Sequence, residues 1–319
     1  MTNHLKYPTL SIIIPAYNSS GSLGILMEQL TQTLATLTEE YEIIVVNDGS
    51  KDNTWQVLSQ LIQTYPHVRA VNLLRNYGQH NALLCGIQKA KCEVIVTVDD
   101  DLQHPPQEIH KLLDKLNEGY DVVYGMPQHE RHGLWRDMAS QVTKLVLQNT
   151  MGAQTARNVS AFRAFRTWVR EAFVGYNGSF VSIDVLLTWG TTRFTAIPVQ
   201  HEPRKIGVSN YTLSKLVTHA LNMMTGFSVL PLQFASLIGF TFTLFGFAVL
   251  AYVIGRYIIL GYSVAGFPFL ASIIAIFSGA QLFALGIIGE YLARMHFRLM
   301  DKPPFAIREQ LPAQEEEQE

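Results

Sequence analysis

EVIVTVDDDLQHPP, residues 93–106, decides the fold. Its first half is a continuous β-branched apolar run, the pattern of a strand buried on both faces. Its second half sets Asp99, Asp100 and Asp101 side by side where that strand must end. Three like charges repel, and a buried strand end is a costly place for them. The cluster becomes tolerable if a divalent cation neutralises it. Asp99 and Asp101 are two residues apart, so both are expected on one face, with Asp100 on the other. Gln103 adds a neutral oxygen at the same interval. An all-oxygen set without Cys or His favours Mg²⁺ or Mn²⁺ over zinc. His104, ahead of Pro105 and Pro106, reads as positioned by the turn, with metal ligation as the alternative.

Working outward, three similar apolar runs precede this one: LSIIIP (10–15), YEIIVVND (41–48) and VRAVNLL (68–74). Segments with helical spacing lie between them. Leu23, Leu26, Met27, Leu30 and Leu34 form one stripe, and Trp55, Leu58, Leu61 and Ile62 form another. Strand alternating with helix predicts βαβ units and a mostly parallel sheet covered on both faces. Ligands of such sheets sit beyond the carboxyl ends of the strands. Those ends carry Pro15-Ala16-Tyr17-Asn18, Asp48-Gly49-Ser50 and Asp99-Asp100-Asp101. Alone, Asp48-Gly49-Ser50 reads as a turn, and Asp52 or Asn53 as a helix cap. The fold gathers them at one edge, which favours a site. No GxxxxGK[ST] motif is present, and no GxGxxG follows a strand, so neither a P-loop nor a dinucleotide fingerprint is expected.

The 319 residues suffice for one large domain with additions. A net charge of −2 gives no basic field for nucleic acid. Composition is 48% hydrophobic and only 16% charged, an imbalance concentrated late in the chain. Residues 232–255 and 264–289 contain no charged side chain. Each run exceeds the roughly 20 residues that cross a bilayer as a helix, so two spans are expected. Arg204, Lys205 and Lys215 precede them, Arg294, His296, Arg298, Lys302 and Arg308 follow, and only Arg256 lies between. Positive flanks predict both ends on the cytoplasmic side. The opening MTNHLKYPTLSIII has no long apolar segment before a cleavage site, so no secretory signal is expected. Cys85 and Cys92 suggest reduced thiols. The tail from residue 310, ending EEEQE, reads as a solvated extension.

SIIIPAYN, VVNDGSKDNT, LLRNYGQHNALLCGI and VTVDDDLQHPPQEI together resemble the family 2 glycosyltransferases of GT-A fold. The DxDLQxPP form is similar to that of the polyprenyl-phosphate sugar transferases, which include dolichyl-phosphate mannose synthases. RNYGQH and GAQLFALGIIGEYLARMHFR resemble the subgroup of undecaprenyl-phosphate aminoarabinose transferases and bactoprenol glucosyltransferases. The likeness runs from about residue 8 to about residue 308. It implies an α/β, Rossmann-like GT-A domain over 1–209 and an amphipathic juxtamembrane helix over 210–230. A two-helix membrane hairpin over 231–292 and a cytoplasmic tail over 293–319 would follow. The implied setting is a bacterial inner membrane, crossed twice, with the catalytic domain cytoplasmic.

The resemblance also implies roles. Pro15, Tyr17, Asn18 and Asp48 would hold the nucleoside, with Asp99 and Asp100 on the nucleotide-sugar side. Asp99, Asp101 and Gln103 would hold Mg²⁺ or Mn²⁺ at the diphosphate, and Asp100 is given no direct chemical part. Arg204, in a loop resembling one that closes over the diphosphate, would stabilise the leaving charge. Residues 124–152 would meet the lipid phosphate. Arg131, Arg136 and Lys144 supply charge there, with Ser140 between them. Trp135, Met138, Val142, Leu145 and Val146 form an apolar stripe suited to a membrane surface, or to ordinary packing on the sheet. Arg163, in AFRAFR, would reach the same phosphate, or take part in a core-and-surface alternation.

The implied donor is a nucleotide sugar, UDP favoured, and the implied acceptor is undecaprenyl or another polyprenyl phosphate. Homo-oligomers, often tetramers, are implied as well. Gly279, Gly286 and Gly289 either permit close helix packing or are merely tolerated. Two rivals remain. A processive polysaccharide synthase would carry a QxxRW motif and more spans, and neither is found. A non-catalytic membrane scaffold or lipid-flipping partner would have a broken acidic set.

Overall fold

The computed structural model describes residues 7–127, 159–178, 181–202, 230–261, 266–300 and 302–312. Arg131, Arg136, Ser140 and Arg204 lie outside them, as do the segment expected to meet the lipid phosphate beyond residue 127 and the juxtamembrane helix expected over 210–230, except for residue 230. By contacts, residues 1–217 and 301–319 form one unit and residues 218–300 a second.

The first unit is built on a mixed sheet. Its strands are β1 (Leu10–Ala16), β2 (Tyr41–Asn47), β3 (Val68–Leu73), β4 (Val94–Thr97), β5 (Val122–Pro127), β6 (Arg163–Arg166), β7 (Phe194–Val199) and β8 (Ile307–Leu311). Their spatial order is β7-β5-β6-β4-β1-β2-β3-β8. The four apolar runs become the four central strands, and all pair in parallel, β3 on β2, β2 on β1 and β1 on β4. Every residue of β1 is buried, as a doubly covered strand requires. β6 joins antiparallel to both β4 and β5, and β7 pairs in parallel with β5.

Four helices connect these strands: α1 (Leu23–Leu37), α2 (Thr54–Thr64), α3 (Gln79–Lys89) and α4 (Ile109–Asn117); α5 (Ile183–Gly190) precedes β7. The expected α1 stripe of Leu23, Leu26, Met27, Leu30 and Leu34 is fully buried. Each such side chain contributes about 1.5–3 kcal/mol relative to exposure. In α2 only Leu58 of the expected stripe is fully buried, while Trp55, Leu61 and Ile62 pack on the core margin. α3 lies close on β1: a Cβ on Gly86 would come 2.4 Å from Ile13 Cγ2, so the helix approaches only because that position has no side chain.

The chain end corrects one expectation. Gln310 and Leu311 are not the start of a solvated extension but the end of β8, which pairs antiparallel with β3, Val71 opposite Gln310 and Ala70 opposite Leu311. Without it, β3 would be an edge strand with unpaired backbone groups. The three polar residues of IREQL hid the strand, whose contribution is its backbone ladder and Leu311 against the core.

The second unit contains α6 (Leu230–Leu260) and α7 (Phe267–Leu299). Pro231–Ile259 and Ile276–Ala293 are long and apolar enough to cross a membrane. Large side chains such as Phe240, Phe247, Ile258 and Leu282 are exposed around them. The two helices meet where Phe242 sits edge-on to Phe277, ring centres 5.7 Å apart. Gly279, Gly286 and Gly289 have open space where a Cβ would be, so contact between α6 and α7 does not require them.

Candidate active site

The chain runs β1, β2, β3 to one side and then crosses to β4 on the other side of β1. The gap between the carboxyl ends of β1 and β4 is therefore the switch point where open sheets take ligands. Pro15 helps open it. Ile13 O accepts from Val98 N at 3.0 Å, and Ala16 O accepts from Asp48 N at 2.9 Å. Backbone groups alternate sides along a strand, so the next donor toward β4 after Ile13 belongs to residue 15. Proline has none, and the β1–β4 ladder stops. Pro15 itself is buried within β1, so it shapes the cleft from inside the strand.

Beyond that stop the acidic run divides. Half-buried Asp99 accepts from Gln79 Nε2 at 2.7 Å. Asp100 turns the other way, accepting from Tyr17 N at 3.3 Å and from the Ser19 hydroxyl. It ties the β1 loop to the β4 loop, a part the sequence did not suggest. Burial raises the Asp100 carboxyl above its usual range, opposed by those hydrogen bonds, and the Asp101 charge adds to the rise. Asp101 is buried, and its Oδ1 accepts from Gln103 N at 3.1 Å. Leu102 follows at φ +61°, a left-handed conformation that costs a leucine on the order of 1–3 kcal/mol. Such strain persists only where the surroundings impose it, and here the Leu102 side chain is buried in the core.

The loop after β2 clamps the loop after β3. Asp48 Oδ1 accepts from Tyr77 N at 2.7 Å and Oδ2 from Gly78 N at 2.8 Å. Burial raises this carboxyl, while the two amides and Arg75 pull it back. Asp48 is thus committed to loop 75–78, although each oxygen keeps a further lone pair. Gly49 has φ +62°, and a Cβ there would lie 2.4 Å from the Arg75 carbonyl carbon and 2.5 Å from Asn76 N. Only glycine lets these backbones approach. Asn18, exposed at φ +56°, donates from N to Ser50 Oγ at 2.9 Å and accepts from Lys51 N at 2.8 Å. Tyr17 is exposed beside it. Pro15, Tyr17, Asn18, Asp48 and Asp99–Asp101 therefore share one end of the sheet.

The far wall comes from β7. Gln200 N donates to Glu108 Oε2 at 2.9 Å, and Glu202 N donates to Gln103 O at 2.8 Å. The strand thus delivers the chain onto the acidic loop two residues before Arg204. His201 stands edge-on to His104, 4.9 Å between ring centres, and His104 stacks on Phe162 at 5.1 Å. His104 is buried, and among the described residues neither ring nitrogen has a hydrogen-bond partner. Burial, reinforced by His201 and opposed by Asp101, pushes its pKa down to about 4.

A folded-state pKa below the unfolded value means the unfolded chain binds the extra proton. That contribution to stability is therefore present above about pH 6.5 and is lost as pH falls toward 4. His104→Leu removes this loss and the unpaired polar atoms together. The variant is expected to exceed the parent by about 2 kcal/mol at pH 5 and by less at pH 8. Thermal denaturation across that range checks it, and parallel curves would refute it.

Arg163 corrects the sequence reading. Its side chain is 2% exposed and ion-paired with Asp184, and its Nε donates to Thr97 Oγ1 at 3.1 Å. Phe162, Ala164 and Phe165 are buried beside it, so the middle of AFRAFR is a continuously buried stretch and not an alternation. Sequence reasoning also missed Gln79 and Ser19, which reach the carboxylates from 20 and 81 residues away.

As a seat for a hard cation, Asp99, Asp101 and Gln103 are chemically suitable, all offering oxygen. Among the described residues no three His, Cys, Asp or Glu side chains are arranged to close a metal site. The set fits a cation whose remaining ligands are substrate oxygens or water, as Mg²⁺-type sites commonly are.

A family model described as glycosyl transferase family 2 matches residues 11–174. The undecaprenyl-phosphate 4-deoxy-4-formamido-L-arabinose transferase of Yersinia enterocolitica is 33% identical over 320 residues, covering 99% of this chain and 98% of that protein. The protein of the same name from Klebsiella pneumoniae is 32% identical over 310 residues, covering 95% of each. Among solved structures, glucosyl-3-phosphoglycerate synthase from Mycobacterium tuberculosis, in complex with Mn²⁺, UDP and glucosyl-3-phosphoglycerate, aligns with a TM-score of 0.52. The identity is 16%, over 68% of this chain and 78% of that one. That likeness shows the fold, a Rossmann-like GT-A arrangement.

Proposed function

The chain belongs to glycosyl transferase family 2, and from that premise we propose that it moves a sugar from a nucleoside diphosphate donor, UDP favoured, onto undecaprenyl or another polyprenyl phosphate at the cytoplasmic face of a bacterial inner membrane. One observation carries the reading. The similarity to undecaprenyl-phosphate sugar transferases spans 99% of the chain, so it includes both the sheet with its acidic loop and the two apolar helices.

The chemistry suits the residues. An acceptor phosphate oxygen is ionised at neutral pH and needs no general base, and no Ser-His-Asp set is called for. The barrier lies in the charge that grows on the departing nucleoside diphosphate. Asp99, Asp101 and Gln103 would hold Mg²⁺ or Mn²⁺, which when bound supplies Lewis-acid neutralisation of that charge. Mn²⁺ and UDP in the solved relative support this assignment by analogy of fold. Arg204 would add a cation on the leaving side. Tyr17, Asn18 and the loop clamped by Asp48 form the nucleoside end, with Pro15 shaping the cleft. Arg131, Arg136 and Ser140 are the residues for the lipid phosphate. Attack opposite the leaving group would invert the sugar. A polyprenyl chain leaves the bilayer only at about 0.8 kcal/mol per CH₂, so an enzyme acting on its phosphate gains from two membrane spans. Assembly of copies into an oligomer, a tetramer by family likeness, is part of the same reading.

The test uses purified full-length protein with a panel of UDP-sugars, with and without Mn²⁺ and undecaprenyl phosphate. Sugar on the lipid, formed only when all three components are present, is the expected result. Nucleotide release that does not require the lipid phosphate would overturn the proposal.

A further inference from the structure

Gln79 opens α3 with an exposed side chain, yet its amide reaches Asp99 Oδ1, beyond the end of β4, at 2.7 Å. What precedes it is held unusually firmly. Asp48 takes the amides of Tyr77 and Gly78, the two residues just before Gln79. Gly78 stands at φ +97°, which sets the direction in which α3 departs. Asn81 Nδ2 then donates back to Tyr77 O at 2.6 Å, and Asn81 N donates to Gly78 O at 3.0 Å. The start of α3 is thus fixed by the carboxyl end of β2, and its first side chain is spent on the carboxylate at the end of β4.

The bond is charge-assisted but open to solvent, where even ion pairs contribute little to folding, so a structural explanation for this arrangement is weak. It does constrain the orientation of the Asp99 carboxylate. A carboxylate that must ligate a cation gains from a donor that occupies one lone pair and leaves the others oriented. We infer that Gln79 is a positioning residue for Asp99, through which the Asp48 clamp at the nucleoside end is linked mechanically to the cation seat at the diphosphate end. The inference rests on the metal assignment under the proposed function and adds this chain's own coupling between the two halves of the donor site.

The experiment is Mn²⁺ titration of the full-length protein by electron paramagnetic resonance, with UDP present, for the parent, Gln79→Leu and Asp101→Asn. Gln79→Leu removes the donor at similar bulk on an exposed position. Its Mn²⁺ dissociation constant is expected to rise about tenfold or more, within the 10–100-fold range typical of supporting partners. Its melting temperature should match the parent's. In turnover, the Mn²⁺ concentration for half-maximal rate should rise by the same factor. A Gln79→Leu constant within twofold of the parent overturns the inference and leaves the proposed function standing. A parent protein that binds no Mn²⁺ with UDP, or an Asp101→Asn variant that binds it normally, overturns the metal assignment itself.

Discussion

Asp101→Ala is expected to lower sugar transfer to undecaprenyl phosphate by on the order of 10²- to 10³-fold, with the protein still folded. The magnitude follows from the position of the charge. Loss of a preorganised group that stabilises leaving-group charge costs about 3–4 kcal/mol, and each 1.36 kcal/mol is tenfold in rate. Asp101 also accepts from Gln103 N, so alanine removes a loop contact as well as a charge. Asp101→Asn separates the two. It keeps an oxygen for that amide and loses only the charge, so its melting temperature should match the parent's while its rate falls almost as far. Initial rates of labelled-sugar transfer, read beside thermal melts, decide the matter. Full activity in Asp101→Ala would remove the acidic loop from the chemistry. Normal activity in Asp101→Asn alone would reduce its part to holding the loop.

The sequence made this residue visible for a simple reason. Burial on both faces requires unbroken apolar runs, and a carboxylate ends such a run abruptly. The four central strands, the α1 stripe and the acidic loop were therefore readable, and so were the two apolar helices, where absence of charge over more than 20 residues is itself the signal. Other features depend on contacts that no local pattern encodes. Asp99, Asp100 and Asp101 look equivalent as letters. They differ because Gln79 and Ser19 arrive from distant segments to take two of them. β8 was hidden because a strand that covers an edge needs only its backbone, and IREQL has little apolar periodicity to betray it. The place of Asp48 at the carboxyl end of a strand was legible. Its commitment to Tyr77 and Gly78 required knowing where the next loop passes.

Arg163 is the clearest case of a misleading letter, and it yields the second large effect. An arginine in a strand reads as a surface cation, and near a presumed lipid phosphate it reads as a ligand. In the fold it lies in the core, where Asp184 pairs with it, Tyr124 donates to Asp184 Oδ1 at 3.1 Å, and Thr97 accepts from its Nε. Burial and the Asp184 charge raise the Tyr124 pKa well above its usual value, so the phenol stays a neutral donor. Thr97 in turn donates to Ala161 O at 2.5 Å and lies two residues before Asp99, so this network anchors the strand that carries the acidic loop. Arg163→Met leaves Asp184 buried without its counter-charge, and breaking such a pair costs about 3–5 kcal/mol. The double variant Arg163→Met/Asp184→Leu removes both charges and should recover most of that loss, because paired burial itself gains little over apolar packing. Chemical denaturation of the two variants measures the difference. In the folded fraction of Arg163→Met the KM for undecaprenyl phosphate should stay near the parent's. A variant that is as stable as the parent but has a raised lipid KM would return Arg163 to the phosphate and refute the buried-pair account.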